Sequence, residues 1–94
     1  ASFTFDYDSS GPNVTITHEG GATFKSENTA NLSVNAPGAS AAWTLPVSAG
    51  DQFVVSTVSG DDLNADSLDS GETIRVIWQG SGDQTSTVGK YTIP

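Results

Sequence analysis

Apolar and polar residues alternate along most of this chain with a period of two, the signature of strands with one buried face. Phe3, Phe5 and Tyr7 share one side of the first segment, with Thr4 and Asp6 on the other. Val14, Ile16 and His18 alternate in the same way with Asn13, Thr15 and Thr17. Gly11-Pro12 is a turn signal between them, and Gly20-Gly21 closes the second run. Residues 2–18 therefore read as a hairpin with a longer loop.

The middle of the chain is less regular. Thr23-Phe24-Lys25 reads as a short strand, and Leu32 and Val34 alternate with Asn31, Ser33 and Asn35 before the turn Ala36-Pro37-Gly38. Trp43, Leu45 and Val47 alternate with Thr44 and Pro46. Pro46 has no N–H to give to a ladder, which predicts an edge strand there. Gly50-Asp51 turns the chain into a strand over residues 52–58, and residues 59–71 read as an acidic loop. Residues 72–78 form the clearest strand, with Ile74, Val76 and Trp78 on one face and Thr73, Arg75 and Ile77 on the other. In the last segment, residues 85–93, Val88 is out of phase with Tyr91 and Ile93, which predicts a β-bulge at Gly89.

About seven short strands, separated by turn signals, predict an all-β fold: an immunoglobulin-like antiparallel β-sandwich forming one domain over residues 1–94. Neither a sustained helical period nor an internal repeat interrupts this pattern. Two strands carry apolar residues in the wrong phase. Val54 and Val58 oppose Phe53 and Val55, and Ile77 opposes Ile74 and Val76. Either loops cover these positions or another subunit does.

Composition narrows the function. With 94 residues the chain buries only a modest fraction of its surface, and its four Phe, two Trp and two Tyr suffice for one core. It has no cysteine, which excludes disulfides, thiolate metal sites and a cysteine nucleophile. Lys25, Arg75 and Lys90 face eleven carboxylates, for a net charge of −8. That balance repels nucleic acid and anionic membrane surfaces. Acidity by itself favours solubility. The scarcity of lysine fits adaptation to high salt better, since a screening length of roughly 3 Å at molar salt damps carboxylate repulsion. The 94 residues contain neither a membrane-length apolar run nor a signal-peptide pattern. The protein either lacks a targeting segment or is the soluble part of something longer.

Catalytic chemistry finds little to stand on. His18, the single histidine, falls in the inward phase near a strand end. There is no G-x-S-x-G elbow, and nothing singles out a carboxylate pair. One cluster has cation-binding spacing: Asp62, Asn64 and Asp66 match the D-x-N-x-D start of a calcium loop. The match fails further on, with Ser67 where Gly is needed and Thr73 where a bidentate Glu belongs. A solvated acidic loop is the better reading. Asn13-Val14-Thr15 and Asn31-Leu32-Ser33 are N-glycosylation sequons, each with the Asn and its hydroxyl partner on the outward face. Glycosylation at Asn13 or Asn31 would require an extracytoplasmic location. The outward Ser and Thr also suit a weak carbohydrate-binding surface. Trp43 and Trp78 lie in core phase and read as packing residues.

Several runs together resemble the globular head of haloarchaeal type IV pilins. They are Ala1-Ser2-Phe3-Thr4-Phe5-Asp6-Tyr7, Val14-Thr15-Ile16-Thr17-His18-Glu19-Gly20-Gly21, Val47-Ser48-Ala49-Gly50-Asp51, Asp62-Leu63-Asn64-Ala65-Asp66 and Gly71-Glu72-Thr73-Ile74-Arg75-Val76-Ile77-Trp78. The resemblance covers most of the chain, and its order and spacing are more specific than any single run. It implies an extracellular structural subunit that polymerises with its own copies, carries N-linked glycans, and has neither catalytic residues nor a cofactor. In that family a hydrophobic helix precedes the head and packs into the filament core. The resemblance thus implies that these residues are the head alone, with no membrane contact of their own. Val54 and Ile77 are then the expected contacts between heads. The alternative is a cell-surface binding module, carbohydrate-binding or calcium-dependent.

Overall fold

The computed structural model describes residues 2–94. Eight strands and no helix occur among them. β1 (Ser2–Asp8), β2 (Asn13–Gly20), β5 (Gln52–Ser56) and β6 (Leu63–Asn64) form one four-stranded sheet in that order. β4 (Ala39–Ala42), β3 (Thr29–Ala36), β7 (Thr73–Gly80) and β8 (Thr85–Thr92) form the other. The two pack as a β-sandwich, as the alternation predicts. The strand order is immunoglobulin-like, with the fourth strand moved onto the third and away from the first sheet. All pairings are antiparallel except β5 with β6.

The inner faces follow the period-two pattern closely. Val14 and Ile16 of β2, Val55 of β5, Leu32 and Val34 of β3, and Ile74 and Val76 of β7 are fully buried. Side chains of the two sheets meet there across a layer of about 10 Å. The aromatic residues of β1 are half-buried, because β1 is an edge strand whose rings reach around the side of the sandwich. Phe5 stacks on Tyr91 of β8 with centroids 5.3 Å apart. A Cβ at Gly89 would press on this seam, 3.2 Å from Phe5 and 3.3 Å from Phe3. The register slips between Val76 and Ile77, so that Val76 faces Gly89, Ile77 faces Thr87 and Val88 is extra. The bulge predicted from the phase change is therefore present.

Three expectations are corrected. The edge strand expected over Trp43–Val47 lies earlier, at Ala39–Ala42. Trp43 leaves the ladder after donating its N–H to the Leu32 carbonyl, and Val47 makes only an isolated bridge with Phe24. Phe24 is thus one bridge residue rather than the centre of a strand. Residues 59–71 are not a free acidic loop. They contain β6, and Leu63, Ala65 and Leu68 anchor the segment in the core. Asp66 donates its N–H to the Pro37 carbonyl and lies against Gly38, closing the second seam between the sheets.

Candidate functional site

His18 comes from the inner face of β2, as its phase requires, and is fully buried. Phe3 and Phe24 meet the ring edge-on at 5.3 and 5.7 Å. Nε2 lies 3.2 Å from the Ala22 carbonyl oxygen, which places the ring proton on Nε2. Nδ1 has no partner among the described residues. Buried between aromatic rings, this imidazole has no route to a substrate.

The acidic segment uses its carboxylates as local fasteners. Asp62 Oδ2 accepts the Val54 N–H at 2.9 Å, tying the segment to the edge of β5. Glu72 accepts from the Ser67 hydroxyl at 2.8 Å and from the Asp69 N–H at 2.7 Å, shaping the turn before β7. Asp62, Asn64 and Asp66 do not converge: Asn64 is on the exposed side of β6, and Asp66 points to the Gly38 turn. Among the described residues no group of three or more His, Asp or Glu side chains is placed to hold a metal ion.

An open cleft of about 390 Å³ lies where β4 ends and β5 begins, lined by Trp43, Thr44, Asp51, Gln52, Phe53 and Asp62. Its carboxylates are partly committed, since Asp51 Oδ2 accepts the Ser48 N–H at 2.9 Å. Its rings are packed away: Trp43 is 6% exposed and touches Phe3 and Phe53 at centroid distances of 5.8 and 5.4 Å. Trp78 is half-buried and donates its indole N–H to Thr29 Oγ1 at 2.9 Å. The Trp43 indole is packed away in the core, and the Trp78 indole is tied down by its N–H.

The outward faces hold what remains. Asn13 is half-buried at the start of β2, whereas Asn31 is exposed on β3. In both sequons the middle residue, Val14 or Leu32, is fully buried, so each Asn shares the outward side with Thr15 or Ser33. Val54 and Ile77 face outward and are half-buried. Val58 is 55% exposed, on a loop that folds back so that the Ser56 hydroxyl donates to the Val58 carbonyl. Sequence reasoning found these three apolar positions but missed their company. Thr15 stands between Asp6 and Val54 in one cross-strand row of the first sheet. Arg75 stands opposite Lys90 in the second.

Asp8 ends β1 and caps the hairpin loop. Its Oδ1 accepts the Ser10 hydroxyl at 2.7 Å and the Ser10 N–H at 3.0 Å. These bonds hold its carboxyl below the ordinary value of 3.8, the hydroxyl contributing most.

In comparisons with known proteins, no family model matches this chain, and no curated protein matches it significantly.

Proposed function

We propose that the chain is the head domain of a haloarchaeal type IV pilus-like subunit, a structural and non-catalytic protein of an extracellular filament serving adhesion and surface attachment. Copies of the chain polymerise, the heads coat the filament, and Asn13 and Asn31 carry its glycans. One observation carries this reading. Apolar Val54 and Ile77 remain on outward sheet faces and Val58 on an exposed loop, while His18 is buried and the carboxylates of Asp62 and Glu72 hold the β5 edge and the turn before β7. Outward aliphatic side chains gain about 25 cal/mol per Å² once a neighbour covers them. Polar exteriors with a few such positions suit repeated contacts between identical subunits.

The test has two parts. The reading frame upstream of Ala1 is expected to encode a basic segment followed by roughly 20 apolar residues, enough for a filament-core helix. An initiator codon directly before Ala1 would sink the reading. In the full-length protein, Val54→Asp with Ile77→Asp should thin or abolish the filaments seen by electron microscopy. Normal filaments from the double variant would also count against it.

The Asp51–Asp62 cleft favours the rival reading, a surface-binding module. Calorimetry with calcium and a glycan array address it, and saturable binding to either would displace the filament reading.

A further inference from the structure

We propose that the two outer sheet faces dock on one another between copies, the acid-bearing face of one copy covering the cation-bearing face of the next. This deepens the filament reading, on which it rests, by naming the two halves of the contact between heads.

Two of the few cations lie together on one face. Arg75 of β7 and Lys90 of β8 are paired across the ladder, so both side chains leave the same side of the sheet. Paired Cα atoms stand about 4.5–5.5 Å apart. Both residues are exposed, and they are two of only three cations in the protein. Asn35 and Ser40 complete their row, and Ser33, Ile77 and Thr87 form the next one. Neither row contains a carboxylate. Like charges directly opposite one another weaken a sheet. In a chain of net charge −8, that placement is the opposite of dispersal.

The other sheet is its complement. β1, β2 and β5 contain no Lys or Arg. Their outward side carries Asp6 in the row with Thr15 and Val54, Asp8 one row along, and Glu19 held by the Thr4 hydroxyl at 2.8 Å. Val54 lies two strands from Asp6, or about 10 Å, and Ile77 lies two residues from Arg75, or about 7 Å. Long Arg and Lys side chains span the difference. Each face therefore offers an aliphatic centre with charge beside it, and the charges are of opposite sign.

These faces point away from each other on opposite sides of the sandwich. A contact between them uses different surfaces on the two partners. It is heterologous, and repeating it gives a line of heads rather than a closed pair. Asn13 and Asn31 lie on these same faces, two residues or about 7 Å along the strand from Thr15 and Ser33, so a glycan there would limit the contact on that side.

The absence of cysteine makes a clean test available. Thr15→Cys marks the first face, and Ser33→Cys, or the fully outward Asn35→Cys as a second choice, marks the other. Each variant is purified and checked for native circular dichroism. The two are then mixed under mild oxidation at roughly millimolar chain, the effective concentration that tethering imposes. The mixed disulfide should dominate over both homodimers. Arg75→Glu with Lys90→Glu in the second partner should cut its yield by roughly tenfold or more, a change worth about 1.4 kcal/mol per decade. Asp6→Lys with Glu19→Lys in the first partner should restore it. Equal yields of all three dimers, no cross-link at all, or indifference to charge reversal would each overturn the proposal. The readout needs no filament. Missing filaments would count against the pilus reading, and a missing mixed cross-link against this contact.

Discussion

The two outer faces of the sandwich share one plan and differ in sign. Both are made by strands whose alternate residues leave the core, and both carry a half-buried aliphatic residue, Val54 on the first sheet and Ile77 on the second. On the Val54 side the charges are Asp6, Asp8 and Glu19, with Asp62 on the Val54 N–H; beside Ile77 they are Arg75 and Lys90. The difference shows that strongly acidic composition need not mean a uniformly acidic surface. Alternation decides only that a residue points outward. Strand order decides which outward side it joins, and with it the partner that side can accept.

On their inner sides the two sheets should not differ. Ile16 and Ile74 back the first and second sheets and are both fully buried. Truncating either to Ala should cost about 2–5 kcal/mol in chemical denaturation. A large inequality would mean that one sheet, not both, holds the core.

The seams that set one face against the other come next. Gly89→Val pushes into Phe5, Phe3 and Val76. Loss of about 1–3 kcal/mol is expected, read from the denaturation midpoint. On the opposite seam Gly38 has φ +75° with Asp66 packed against it, and Gly38→Ala should lose a similar amount.

A smaller effect separates the faces by sign. Lys90→Glu turns the repulsive cross-strand pair with Arg75 into an attractive one. The isolated domain should gain about 0.2–1 kcal/mol while self-association falls. A destabilised domain would show that Lys90 serves the fold rather than a contact.

The smallest effect is confined to the acidic side. The lowered Asp8 carboxyl, set by the Ser10 hydroxyl and N–H, is charged more readily folded than unfolded. Its contribution to stability is present above about pH 3.8 and is lost as pH falls through the lower folded value. Carbon-detected NMR titration should find the Asp8 midpoint below 3.8, and Ser10→Ala should move it back up.

Much of the fold was legible because burial on one side imposes a strict period of two. The runs around Val14–Ile16, Leu32–Val34 and Ile74–Val76 show it, and so does the slip at Gly89. β4 was misplaced because its alternation is written in Ala39 and Ala41, small residues of weak strand preference beside a conspicuous Trp43. β6 was hidden by acidic neighbours, although Leu63, Ala65 and Leu68 were visible hints of burial. The outward placement of Asn13, Asn31, Val54 and Ile77 followed from phase alone. Their charged neighbours did not, because Asp6 meets Val54 only through β2, and Arg75 meets Lys90 only through the β7–β8 register. Neither pairing leaves a mark in linear spacing.

The small parallel strand β6 has a further consequence. Without it, β5 would expose a row of vacant backbone donors and acceptors, a template on which any extended chain can zip. Asp62 occupies the Val54 N–H, and the Ala65 N–H occupies the Ser56 carbonyl at 2.7 Å. A two-residue strand and one carboxylate thus cap the β5 edge, which would otherwise be open to backbone pairing. An extended chain arriving at this edge finds those two β5 groups already taken.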